Sequence, residues 1–301
     1  MSNQPNPDRG DTTIALAGDW HGNYPWAERA LRHLADLGVR TVYHLGDFGI
    51  WPHQNRDWFL ERVNNLCQLL DIYIWVTPGN HENWSWLDAI HGIDNGRSPR
   101  QILTGKTGTQ RLFAFPRGHR WMHGGRSFVS LGGAPSVDYE RRVAGQDWFV
   151  DEMIPEGTAE DVATAGHAEI MLAHDVPNLD IPVLRRILTS NPGGWPELAL
   201  AYAAIGRDRL DTAYAGVRPR LYAHGHYHVQ GDVLIDGTRV LSLSKDDAGG
   251  NLVLLDLAAD DLGVNWLAFG PGQGPLSIRE SIDRYRDRGW QKFTTEINAE
   301  D

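Results

Sequence analysis

The sequence predicts a mixed α/β fold. Strand and helix signals alternate over residues 13–76, a series of short strands begins near residue 112, and two long inserts (about 136–166 and 178–218) interrupt that series. Alternation of this kind builds βαβ units and a largely parallel sheet, whereas closely spaced strands with turn residues between them build hairpins.

The first apolar run, Thr13–Ala17, stops abruptly at Gly18-Asp19, as a buried strand does. Pro25 opens a helical pattern with Trp26, Ala30, Leu34 and Leu37 on one face and Gly38 as its stop. Val42–Leu45 is the second strand, closed by Gly46-Asp47, and Phe59, Val63, Leu66 and Leu70 mark the second helix. Ile72–Val76 is the third strand, ended by Pro78-Gly79. Further on, Leu112–Phe115, Phe128–Leu131, Ile170–Ala173 and Leu221–Ala223 are short strand candidates separated by irregular stretches. The remaining strands, Val233–Ile235, Val240–Leu243, Leu252–Leu257 and Val264–Phe269, read as a meander with turns at Asp236-Gly237 and Gly249-Gly250. A helix over Ile278–Trp290 closes the chain. The inserts, rich in Gly, Pro, Trp and charge, are expected to overhang a site. With no linker or repeat, residues 12–301 read as a single domain behind a flexible tail of residues 1–11.

A chain of 301 residues with 41% hydrophobic and 22% charged residues is long enough and apolar enough to bury a sizeable core. Its net charge of −11 argues against binding duplex nucleic acid, which needs Lys and Arg to neutralise phosphates. The solitary Cys67 excludes an internal disulfide framework and fits a reducing compartment. Residues 1–11 lack an apolar stretch, and no run approaches the roughly 20 residues of a membrane span. A soluble, cytoplasmic protein is expected.

Five scattered phrases carry the chemistry: Asp19-Trp-His21, Gly46-Asp47, Gly79-Asn80-His81, His174 and Gly225-His226-Tyr-His228. Each follows a strand candidate. In extended backbone residues two apart share a side, so Asp19 and His21 can reach one ion. Taken alone, Asp47 is as well read as a turn residue, Asn80 as a left-handed turn residue and His174 as a loop histidine. Two strands both ending in Gly-Asp are harder to dismiss, because the carboxyl ends of strands form the ligand crevice of open α/β sheets. The Asn80 carbonyl can coordinate a hard cation, His81 is then free to protonate a leaving group, and His226 with His228 is a recognised metal-binding spacing. Seven donors are too many for one tetrahedral zinc and suit two adjacent divalent ions, an arrangement used on phosphate esters.

The order Asp-x-His, Gly-Asp, Gly-Asn-His-Glu, His and Gly-His-x-His resembles that of the calcineurin-like metallophosphoesterase superfamily over nearly all of residues 13–245. The resemblance implies a four-layer α/β/β/α metallophosphoesterase sandwich with a mixed central β-sandwich. It implies Asp19, His21 and His228 on one metal, Asn80, His174 and His226 on the other, Asp47 bridging both, and His81 facing the substrate phosphate as the catalytic residue. One departure matters. Protein phosphatases of this superfamily carry an Arg shortly after the second-block Asp, where it clamps phosphate bidentately. Here the sequence runs Gly46-Asp47-Phe48-Gly49-Ile50-Trp51, so the chain is more similar to the small bacterial and phage phosphodiesterase-like branch.

Other signals weigh less. Thr104-Gly105-Lys106-Thr107 lacks the upstream Gly of a phosphate loop, and Asn83-Trp84-Ser85 sits beside the metal motif and is discounted as a glycosylation site. Trp20, Trp51, Trp84 and Trp86 could stack a nucleobase, but packing beneath strand ends is the preferred reading. Cys67 reads as a buried hydrophobe, and His224 as packing or support for its neighbours.

The expected function is therefore dinuclear metal-dependent hydrolysis of a small phosphodiester, a cyclic nucleotide among the candidates. A hydroxide bridging ions about 3.5–4 Å apart would attack in line, with His81 assisting the leaving group. The donor mixture favours Mn, Fe, Zn or Ni over Ca, with Mn placed first. The alternatives are a phosphomonoesterase or protein-phosphatase-like enzyme, a non-catalytic binding module on the same fold, and a single-strand nuclease, which the acidic balance disfavours. The partner expected is a small phosphorylated substrate, with neither duplex nucleic acid nor membrane; the oligomeric state is left open.

Overall fold

The computed structural model describes residues 6–51, 54–94, 96, 98–103 and 109–270, residues 54–56 and 94 by their backbone alone. The expected helix at Ile278–Trp290 and the Thr104–Thr107 turn lie outside the described residues, and so does the end of the expected domain beyond residue 270. Residues up to Gly270 group into one compact unit.

The amino-terminal alternation holds. Strand β1 (Thr13–Ala17), helix α1 (Tyr24–Asp36), β2 (Thr41–His44), α2 (Gln54–Leu70) and β3 (Tyr73–Val76) follow one another. Asn23 caps α1, its side chain accepting from the Trp26 amide, and Pro25 lies in the first turn as its fixed φ favours. Leu37, expected on the buried face, is the C-cap and is half exposed. Next come α3 (Trp84–His91), β4 (Arg100–Gln101), β5 (Leu112–Ala114), β6 (His119–His123) and β7 (Arg126–Leu131). They are followed by α4 (Glu156–Thr164), β8 (Ile170–Ala173), α5 (Pro182–Ser190), α6 (Glu197–Val217) and β9 (Leu221–His224). The chain then forms β10 (Gly231–Ile235), β11 (Thr238–Ser242), β12 (Leu252–Asp256) and β13 (Gly263–Trp266).

The strands make two mixed sheets. One has the order β13-β12-β1-β2-β3-β5-β4 and the other β10-β11-β9-β8-β7-β6. β1, β2, β3 and β5 are mutually parallel, as are β7, β8, β9 and β11, and the antiparallel strands lie outside these blocks. Period-two alternation divides the strand residues between faces. Ile14, Leu16, Tyr43 and Trp75 of the first sheet meet Phe128, Ile170, Leu172, Leu221 and Leu241 of the second in a core between the sheets. Met171, Ala173, Tyr222 and Val240 point the other way and are covered by Val162 of α4, Leu184 of α5, and Leu210, Ala213 and Val217 of α6. On the far side, α1 and α2 pack together over the outer face of the first sheet, where Ala15, Val42 and Ile74 are fully buried. The architecture is the expected four-layer α/β/β/α sandwich, with Cys67 buried on α2.

Three expectations are corrected. The carboxy-terminal strands are not one meander: β10 and β11 form a hairpin in the second sheet, while β12 and β13 form another in the first. Gly249-Gly250 is therefore a crossing between sheets, a topology that strand spacing alone does not encode. The second insert is not an overhang but the α5–α6 pair, whose small residues Ala199, Ala203 and Gly206 allow close packing. Residues 7–11, expected in a flexible tail, lie against the body: Pro7 is buried, and the Asp11 carbonyl is 2.9 Å from His123 Nε2. No described helix is long and apolar enough to cross a membrane.

Candidate metal centre

The parallel strands of both sheets end at the same edge, which brings the five sequence phrases together. Asp19 and His21 follow β1, Asp47 follows β2, Asn80 and His81 follow β3, His174 follows β8, and His226 and His228 follow β9. The reach of His21 differs from expectation. It does not share an extended segment with Asp19 but sits in a turn at φ 45°, and Asp47, His226 and His228 also adopt positive φ, at 50°, 68° and 56°. Backbone strain concentrated on donor residues is a hallmark of sites the surrounding fold over-determines.

Asp47 is the centre of the arrangement. Its Oδ2 lies 3.7 Å from His21 Nε2, and its Oδ1 lies 3.4 Å from His174 Nε2. On the first side, Asp19, His21, Asp47 and His228 each offer a donor atom within 4.8 Å of the others, with His228 Nε2 3.1 Å from Asp19 Oδ2. On the second, Asn80 Oδ1 is 2.9 Å from His174 Nε2, and the His226 ring centroid is 5.0 Å from that of His174. His81 stands beside both groups, with Nε2 3.7 Å from Asp47 Oδ2 and its ring 5.9 Å from that of His21.

Ring tautomers are set from behind. His174 Nδ1 donates to the Leu45 carbonyl at 2.6 Å, which leaves Nε2 facing Asn80 and Asp47. His21 Nδ1 lies 3.0 Å from Asp246, a carboxylate that also accepts from Asn23 at 2.7 Å. Oriented imidazoles of this kind are typical supports of metal ligands. With Nδ1 donating, His174 Nε2, Asn80 Oδ1 and Asp47 Oδ1 are three acceptors facing one another, a set that only a proton or a cation reconciles. The donor chemistry fits divalent ions. Charge follows the same field. Burial disfavours a charged His21, yet the hydrogen bonds to Asp246 and Asp47 outweigh it and push the ring up to about 10. Burial likewise opposes charge on His174, and the Asp47 carboxylate raises it to about 10. Burial pushes Asp47 upward, but His174 and His81 outweigh it and hold the carboxyl well below its usual range. His226 is partly buried, and the loss of solvation together with the charge of His174 holds its ring neutral.

Several residues that shape this site had no role in the sequence reading. Glu82, adjacent to His81, accepts from the amides of Asp47 at 2.9 Å, Gly49 at 3.2 Å and Gly79, tying the β2 and β3 loops together. Burial, and then the charge of Asp47, push its carboxyl up to about 7. Asn251 accepts from Trp20 at 3.0 Å and Trp26 at 2.9 Å and donates to the Ser244 carbonyl. The sequence signal for Ser244, Asp246 and Asn251 was a set of polar residues following β11 at the same sheet edge as the other motifs. The first insert does overhang the site. Arg142 lies within 2.8 Å and 3.0 Å of the two ring nitrogens of His81, and its Nε and Nη2 are held by Asp138 at 2.7 Å each. Ser136 accepts from Asn80 Nδ2 at 2.8 Å. No periodicity marks these insert residues. Of the four tryptophans near the motifs, Trp20 and Trp84 are fully buried and act as packing, Trp84 donating to the Gly79 carbonyl. His224 is buried behind the site, and burial lowers it to about 4.

A profile of calcineurin-like phosphoesterases matches residues 12–230, which takes in every donor named above from Asp19 to His228. The chain belongs to the calcineurin-like phosphoesterase family. Membership makes it a phosphoric ester hydrolase of a family that uses divalent metals. Among solved structures, the protein TT1561 of Thermus thermophilus is similar with a TM-score of 0.51 at 12% identity, covering 85% of this chain and 98% of that one. A dimetal phosphatase from Danio rerio is similar with a TM-score of 0.50 at 11% identity, covering 81% of this chain and 92% of that one. At such identities the likeness is one of fold. No curated protein sequence matches the chain significantly.

Proposed function

We propose that this phosphoesterase hydrolyses small phosphodiesters at a pair of divalent ions. The observation that carries the reading is the two-sided placement of Asp47, one carboxylate oxygen toward His21 and the other toward His174. Asp19, His21 and His228 would hold one ion, Asn80, His174 and His226 the other, and Asp47 both. Manganese is the first choice, since mixed imidazole, amide and carboxylate donors suit Mn, Fe, Zn or Ni better than Ca. Such ions supply Lewis acidity toward phosphoryl oxygens and lower the pKa of water.

The side chains around them handle binding and protons. Burial lowers the proton affinity of His81, Asp47 opposes this, and Arg142 adds to the lowering, so the ring is neutral and keeps one N–H for the leaving oxygen. The Arg142 fork presents two N–H groups to His81, and a neutral imidazole can accept only one of them. The other is available to a phosphoryl oxygen, and Asp138 fixes the direction in which the fork points. Arg142 thus takes the place of the arginine missing after Asp47. The net charge of −11 favours small nucleotides or other small phosphoesters over nucleic-acid polymers.

The test is hydrolysis of bis-p-nitrophenyl phosphate and p-nitrophenyl phosphate by the full chain with and without Mn²⁺. Metal-stimulated hydrolysis with the diester preferred is expected, and Asp47→Asn should lose metal and turnover together. Asp47→Asn with near-wild-type turnover would sink the two-metal arrangement. No hydrolysis of either ester with Mn, Fe, Zn or Ni would make the chain a binding module instead.

A further inference from the structure

The strap after β7 touches the metal centre at a second place, beneath Asn80. Ser136 is buried, and its Oγ accepts from Asn80 Nδ2 at 2.8 Å. The same hydroxyl donates to Glu152 Oε2 at 2.8 Å. The Glu152 side chain is fully enclosed, and its other oxygen, Oε1, accepts from the Ser136 amide at 2.6 Å, Trp148 Nε1 at 3.0 Å and the Tyr202 hydroxyl at 3.2 Å. Four donors converge on one carboxylate, which at pH 8 is ionised and only accepts.

We propose that Glu152 is a positioning residue for Asn80, acting through the direction in which the Ser136 hydroxyl points. A carboxylate can only accept, so the Ser136 proton must point to Glu152 and its lone pair to Asn80. That polarity forces the amide nitrogen of Asn80 toward Ser136 and the amide oxygen toward His174, the orientation a cation requires. An asparagine has no intrinsic preference between its two flips. Here the strap decides. The inference rests on Asn80 being a metal ligand, as proposed above, and goes beyond it in assigning a residue two hydrogen bonds away.

The relay makes a specific demand on the nearly isosteric Glu152→Gln. Three donors fix the glutamine oxygen at the Oε1 position, which leaves its NH₂ facing Ser136. Ser136 must then donate to Asn80, and the amide turns its NH₂ toward the metal. Asn80→Asp rescues this variant, because aspartate accepts from Ser136 and still offers an oxygen to the cation. In the wild-type background, Asn80→Asp instead sets a carboxylate oxygen against the Ser136 lone pair.

The experiment is calorimetric titration of Mn²⁺ into the metal-stripped 301-residue chain at pH 8, on wild type, E152Q, N80D and E152Q/N80D, with Tm measured for each. Wild type should show two binding events. E152Q should weaken one of them by about 10–100-fold, the range seen for supports behind metal ligands, and leave the other unchanged. N80D should improve the weakened event at least about tenfold more in the E152Q background than in wild type, about 1.4 kcal/mol of coupling. Equal effects of N80D in both backgrounds, or two unaltered events in E152Q, overturn the relay while leaving the metal pair standing. Fewer than two events in wild type overturn the two-metal reading and the relay with it. If E152Q does not fold, Ser136→Ala should weaken the same single event, and N80D should give it no extra rescue; an unaltered pair of events in Ser136→Ala overturns the relay.

Discussion

Under the proposed function, His81 and Arg142 share one task from two directions. The ring approaches from the end of β3 and the guanidinium from the strap, and the two meet 2.8 Å apart beside Asp47. His81→Ala should retain two bound metals and lose about 10²–10⁴-fold in turnover, the usual worth of a general acid, with the larger loss on esters of poor leaving groups. Metal analysis together with a leaving-group series checks this, and loss of one ion would make His81 a ligand. Arg142→Ala should lower kcat/KM by about 10–100-fold through one or two charged hydrogen bonds, and Arg142→Lys should recover only part of it because the fork is gone. An Arg142→Ala enzyme with unchanged kcat/KM would remove the clamp. At this scale the sequence was informative where a donor ends a strand. Asp19, Asp47 and His174 could be picked out because an apolar run stops at each of them. Arg142, Ser136 and Glu152 could not, since their partners are 50 or more residues away, or lie in the same unpatterned insert.

Strand ends and their loops hold the donors through close backbone approach. A Cβ on Gly225 would overlap Asp19 Oδ1, so the loop after β9 can approach β1 only with glycine there. Gly225→Ala should therefore weaken Mn²⁺ binding, displacing Asp19 and His226 together, at a stability cost of about 1–3 kcal/mol. Calorimetry and thermal melts on one preparation check it; unaltered metal affinity would mean the loop has slack. The βαβ half of the fold was legible because each helix carries its apolar face and its cap in local sequence, as α1 does with Asn23 and Pro25. The division of the carboxy-terminal hairpins between the sheets was not. β10–β11 and β12–β13 have similar strand lengths, and only packing of the two sheets assigns one to each.

Stability of the whole molecule carries a trace of the strap. Burial pushes the Glu152 carboxyl from 4.5 up to about 7, against the pull of its donors. The folded state then binds this proton more tightly than the unfolded chain. The contribution is fully present below pH 4.5 and is lost as pH rises through about 7, with no further change above. The Tm difference between wild type and Glu152→Gln should fall across that window and level off at higher pH. A difference independent of pH would place the Glu152 titration outside it.

The sequence by itself determined the phosphoesterase family, the α/β alternation and the candidate donors, because each of these is written in local order: an apolar run, a glycine, then a polar residue. Only the tertiary structure decided which donors face which oxygen of Asp47, that positive φ rather than an extended segment aims four of them, and that the strap brings Arg142 and Glu152 to the site. The reason is physical. Local propensity acts over a few residues, whereas the polarity of a buried hydrogen-bond chain depends on which distant groups the packed sheets and strap bring within about 3 Å of one another.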